Sequence, residues 1–136
     1  MTTRARYLAS YHASVGAVTN ETQTFSTAQV GAVTVLTDAV NISTNLALNN
    51  NFQITLGGNR TLDNPTNPAI SQSGSIFIIQ DGTGSRTLSY GAYWKFAGGT
   101  GPTISTAAGA IDRLDYIVQT ATAIQSVITL DIKTIA

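Results

Sequence analysis

Chemistry in this chain would have to come from few side chains. The 136 residues include no cysteine and a single histidine, His12. Disulfides and thiolate metal sites are therefore excluded, and an imidazole-activated nucleophile would have to use His12. No nucleophile motif lies near it in MTTRARYLASYHAS, so His12 reads as a surface or interface histidine. The carboxylates are Glu21, Asp38, Asp63, Asp81, Asp112, Asp115 and Asp131. Glycoside hydrolysis needs two of them flanking the scissile bond, one with a raised pKa. Asp112 and Asp115 are i,i+3, which on a strand puts them on opposite faces, and Asp112 has Arg60, Arg86 or Arg113 as alternative partners. Asp81-Gly82-Thr83-Gly84-Ser85 superficially suggests a calcium or phosphate loop. It lacks the ligand series and final Glu of an EF-hand, and Arg86 opens a strand where a phosphate loop would open a helix with Gly-Lys-Ser/Thr. The segment reads as a hairpin turn. The expectation is no enzyme, no cofactor and no metal site.

Two groups remain as binding candidates. Tyr90, Tyr93 and Trp94 precede a Gly-rich loop, Ala97 to Pro102, and could form a sugar-stacking platform. Core filling by Trp94 and Phe96 is the better reading, because aromatic side chains bury the most apolar area. Arg4, Arg6, Tyr7, Tyr11 and His12 concentrate charge and aromatic groups in a chain poor in both. Arg and Tyr are enriched at interface hot spots, so residues 1–30 are expected to form an N-terminal attachment arm.

Composition narrows the context. Charged residues make up 10% of the chain, seven acidic and seven basic, for a net charge of zero; an ordinary soluble domain carries about 25%. Thr, Ser, Asn, Gln and Gly take the place of the missing charges. A neutral chain is no general nucleic-acid binder, its apolar content argues against a charge-driven disordered tail, and no apolar run is long enough to cross a bilayer. No secretory signal is visible, so synthesis in a bacterial-type cytoplasm is the expectation.

The elements that would position these residues are strands. Phe52, Ile54 and Leu56 repeat every second residue, the mark of a strand with one buried face. Val30–Thr37, Asn41–Leu48, Ser75–Gln80, Arg86–Tyr90, Tyr93–Phe96, Ala110–Gln119 and Thr122–Ile132 complete a set of eight or so short strands. Residues 75–90 read as a hairpin around Asp81–Ser85. No long helix-period segment and no internal repeat is visible. Residues 31–136 are expected to be one all-β domain, a sandwich or barrel.

From Asn51 onward an ordered series of segments is similar to a module of tailed-bacteriophage virion proteins. The segments are Asn51-Phe52, Gly58-Asn59-Arg60-Thr61-Leu62, Asn64-Pro65-Thr66-Asn67, Gln72 to Ile76, Gln80 to Leu88, Trp94-Lys95-Phe96, Gly98 to Thr103 and Ile111 to Tyr116. The resemblance implies a jelly-roll-like antiparallel β-sandwich on the virion surface, as a homotrimer. Because no shaft precedes it, the expected role is a capsid decoration (cement) protein. It would be made in the host cytoplasm, would bind the major capsid protein on the assembled head through the arm, and would stabilise the shell. The alternative is a tail fibre or tail-tip module that recognises a host-surface glycan through Tyr90, Tyr93 and Trp94.

Overall fold

Every second residue of NFQITL is apolar. In the computed structural model, which describes residues 26–136, Phe52, Ile54 and Leu56 are all buried on one face of a strand. Arg4, Arg6, Tyr7, Tyr11, His12 and Glu21 lie outside the described residues. The unit Gly31–Ala136 contains β1 (Val33–Val35), β2 (Asn41–Ile42), β3 (Asn51–Leu56), β4 (Arg60–Leu62), β5 (Ser73–Gln80), β6 (Leu88–Tyr90), β7 (Trp94–Lys95), β8 (Ile111–Thr120) and β9 (Ala123–Thr129), with a short 3-10 turn at Ala97–Gly99. The unit is nearly all β, and among the described residues no helix is long and apolar enough to cross a membrane.

Successive strands alternate between two sheets. β1, β3 and β5 lie side by side in parallel in one sheet, and β2, β4 and β6 do the same in the other. The chain thus winds through three turns, each contributing one strand to each sheet, as in a short β-solenoid. β8 then pairs antiparallel with both β5 and β9, and β7 adds to β9 in parallel, giving the order β1-β3-β5-β8-β9-β7. Ile42, Leu62 and Leu88 from the smaller sheet meet Phe52, Ile54, Ile76, Ile78, Leu114 and Ile124 from the larger one in a single core.

This winding corrects three expectations. The sheets are not antiparallel: parallel pairing predominates, and antiparallel pairing is confined to β8 and its two neighbours. A jelly roll, built from antiparallel Greek keys, is not the connectivity seen. Residues 75–90 are not a hairpin, because β5 pairs with β3 and β8 while β6 pairs with β4. The reason lies in the corner between β5 and β6. Gln80 Oε1 accepts the Arg86 N–H at 3.0 Å, and Gln80 Nε2 donates to the Arg86 carbonyl at 2.9 Å. Asp81 accepts the N–H groups of Thr83 and Gly84 and pairs with the Arg86 guanidinium. These bonds fix a bend that delivers the chain to the other sheet instead of reversing it. The turns of the winding also differ in length. Val33 lies beside Asn51 and Asn51 beside Ser75, while Asn41 lies beside Thr61 and Thr61 beside Ser89. A structural repeat exists with no fixed sequence period.

Side-chain amides tie one turn to the next. Gln72 Nε2 donates to the Leu46 and Asn49 carbonyls and to Asn50 Oδ1. Asn59 Oδ1 accepts the Thr87 N–H at 3.0 Å, and Asn64 Oδ1 accepts the Tyr93 N–H at 2.9 Å. At Gly74 the stacking leaves no room for a side chain: a Cβ there would lie 1.8 Å from the Asn50 carbonyl oxygen. The same carbonyl accepts the Tyr116 hydroxyl at 2.7 Å, and burial pushes that phenol up to about 12.

Candidate ligand cleft

β6 ends at Tyr90, and Gly91-Ala92-Tyr93 leads at once into β7. The 3-10 turn and the loop to Pro102 then fold back over the end of β6. Between these segments lies an open cleft of about 530 Å³, bordered by Ser89, Tyr90, Trp94, Lys95, Phe96 and Gly101 among others.

Tyr90 is fixed in this cleft. Its ring is half-buried and meets Phe96 edge-on, with centroids 4.7 Å apart and planes at 61°. Its hydroxyl donates to the Pro102 carbonyl at 3.1 Å. Gly101 lies against the ring, where a Cβ would come within 2.6 Å of Cδ2. Burial, with the negative charge of Asp112 adding to it, drives the Tyr90 phenol upward, so it stays neutral. Lys95 is exposed at the rim and donates from Nζ to the Ala92 carbonyl at 2.6 Å.

The aromatic residues singled out in the sequence separate here. Tyr90 and Trp94 border the cleft. Trp94, however, is only 4% exposed, meets Tyr116 edge-on at 6.1 Å and donates from Nε1 to the Asp63 carbonyl at 2.9 Å, so its ring belongs to the core. Tyr93 is half-buried and stands apart from the cleft lining, its main chain held by Asn64 and Ile124. Phe96 reads in the sequence as a core filler only, and Ser89 and Lys95 carry no site signal there. The alternation Trp94-in, Lys95-out, visible in the sequence, would have placed Lys95, but the approach of Phe96 to Tyr90 is set by the 3-10 turn.

Among the described residues the cleft lining holds no carboxylate and no imidazole. Among the described residues no three His, Cys, Asp or Glu side chains gather to hold a metal ion. The carboxylates of Asp38, Asp81, Asp112, Asp115 and Asp131 are engaged elsewhere. Asp112 is buried on one face of β8 and Asp115 is outward on the other, as the i,i+3 spacing predicts. Asp112 pairs with none of Arg60, Arg86 and Arg113, which pair with Asp38, Asp81 and Asp115. It accepts backbone N–H groups instead, from Ser105 at 2.7 Å and Asp131 at 2.8 Å. Those bonds pin the loop before β8 and the chain after β9.

The arrangement can bind a ligand. It offers two fixed, half-exposed rings and a few polar groups in a space of small-ligand size. A family profile described as "Putative phage tail fibre C-terminal domain" matches residues 41–122, a stretch running from β2 to the turn after β8 and including the whole cleft. No curated protein and no solved structure matches the chain.

Proposed function

The chain belongs to the phage tail fibre C-terminal domain family and is a structural component of a phage virion; on that premise we propose that it is a tail-fibre module binding a neutral saccharide of the host surface. The observation that carries this reading is the cleft beside β6 and β7. Tyr90 is held by Phe96, Gly101 and Pro102, so its ring need not be ordered when a ligand arrives. The apolar face of a sugar ring can stack on Tyr90 and Phe96, while Ser89 and Lys95 offer hydrogen bonds at the rim. Among the described residues the lining carries no carboxylate and a single cation, Lys95, which favours a neutral ligand over a polyanion.

The family match favours the tail over decoration of the head, so the major capsid protein is not retained as the partner. Self-association, expected as a homotrimer, stays within the proposal, because zero net charge removes the repulsion between copies.

The test is a nuclear magnetic resonance titration of the full chain with oligosaccharides from the host surface. Shifts centred on Ser89, Tyr90 and Phe96, and a loss of affinity of about tenfold in Phe96→Ala, are expected. Shifts confined to residues outside the cleft would overturn the assignment of the site.

A further inference from the structure

The larger sheet has a second face. Its inner side chains build the core; its outer ones are exposed or half-buried. Across the paired strands the outward positions run in rows: Val33, Asn51, Ser75, Asp115 and Val127 in one, and Val35, Gln53, Phe77, Arg113 and Thr129 in the next. Val35 is 71% exposed, Val127 60% and Ile117 50%, and Phe77 lies among them half-buried. These exposed apolar side chains alternate with polar ones, Asn51, Gln53, Ser75 and Thr129, in the same rows.

We infer that this outer face of β1, β3, β5, β8 and β9 is where one copy of the chain packs against another. The inference rests on the self-association part of the reading above and is independent of the cleft. Its occupant follows from charge. The outward positions of these five strands hold one cation and one anion, Arg113 and Asp115, and the two pair with each other at 2.9 Å within the same chain. Ser75 donates to the same carboxylate at 2.6 Å. The face therefore presents no net sign for an oppositely charged partner to read. A copy of itself meets no repulsion. Other outward polar groups, among them Gln53, Thr55 and Thr129, both donate and accept, so they can bond across a contact between copies.

The size agrees. Strands of 3, 6, 8, 10 and 7 residues, at about 3.3 Å per residue and about 4.8 Å between strands, give a footprint of about 540 Å² before side-chain relief. That is comparable with the roughly 800 Å² per partner of a standard stable interface. An apolar groove of about 520 Å³, bordered by Phe96, Ile117 and Val127, continues the face toward β7.

The experiment compares the full chain with Val127→Arg and with Ser89→Arg, which alters the other sheet, by light scattering from 1 to 100 µM. The chain is expected to have a mass at least twice 14.2 kDa. Val127→Arg should shift it to the monomer with an unchanged circular dichroism spectrum, and Ser89→Arg should not. A chain that is monomeric throughout overturns both self-association and this face. An oligomer that Val127→Arg leaves intact overturns the face alone. A measurement on the unmodified chain stands beside the variants, in case Val127→Arg fails to fold. On dilution, the methyl signals of Ile117 and Val127 should move while those of Leu48 and Ile70 stay still; the reverse pattern overturns the proposal.

Discussion

In the wound region, β1 to β6, each strand's partner lies a full turn away in sequence, whereas β8 finds β9 across the short turn at Thr120–Ala123. The hairpin is held by its own ladder, seven registered pairs from Arg113–Thr129 to Thr120–Ala123. The wound region has ladders only two or three residues long in the smaller sheet, and it relies on Asn59, Asn64, Gln72 and Gln80 to locate one corner over the next. The contrast teaches where this chain's amides act. A neutral side chain with both a donor and an acceptor can satisfy corner backbone groups that no ladder reaches, and it does so without the cost of burying an ion.

If that contrast is right, the largest losses of stability should come from the contacts between turns. Gly74→Ala forces a methyl group onto the Asn50 carbonyl, a backbone atom that cannot swing aside. Urea unfolding should show a loss of about 3 kcal/mol or more. A neutral result would mean that the turns are not stacked as closely as described.

Gln80→Leu keeps the volume of a side chain that is 3% exposed but strips partners from Arg86 N–H, the Arg86 carbonyl and the Ser105 carbonyl. A loss of about 2–3 kcal/mol is expected. The β5–β6 corner should also gain fast amide exchange while β8 and β9 keep their protection.

Asp112→Asn probes the hairpin side. It replaces one of two carboxylate oxygens with an amide nitrogen that faces an N–H, either that of Ser105 or that of Asp131. About 1–2 kcal/mol should be lost. Amide exchange should quicken at Ser105 and Asp131 and stay slow at the centre of the ladder. Loosening of the whole hairpin would erase the distinction between the two regions.

The smallest effect is the response to acid. The hydrogen bond from Arg60 holds the Asp38 carboxyl low, and that from Arg86, followed by the Gly84 N–H, does the same for Asp81. Partial burial pushes the Asp115 carboxyl up, but hydrogen bonds from Arg113 and Ser75 outweigh it and hold it below its ordinary value. Carboxyls with lowered folded pKa values stabilise the fold above the unfolded value of 3.8, and that contribution is lost as pH falls through their folded values. Unfolding midpoints should therefore hold from pH 7 to about 5 and decline below 4, gently because these pairs are largely solvated. Asp38→Asn should flatten the decline slightly; a steep loss above pH 5 would require a group other than these three.

Much of the fold is legible in single segments. The alternation in Asn51–Leu56, and again in Ile111–Thr120, places the strands and names the buried face, because whether a side chain points in or out depends on a period of two that the local sequence carries. Trp94 can be assigned to the core for a similar reason, since its neighbour Lys95 must point the other way. The cleft was less visible. Tyr90 carries a signal as an aromatic at a strand end, but Phe96 reaches it only because Ala97–Gly99 turns the chain back.

By itself the sequence determined that the chain is β-rich, neutral, free of cysteine and similar to phage virion modules, since those properties reside in composition, period and local motif. Tertiary structure alone decided which strand lies beside which, and in what direction. Backbone N–H and C=O groups are the same in every strand, so a run such as Ser75–Gln80 does not encode its partner. The corner bonds of Gln80, Asp81 and Arg86 send the chain across to the second sheet, and with that bend an expected antiparallel hairpin becomes a parallel winding.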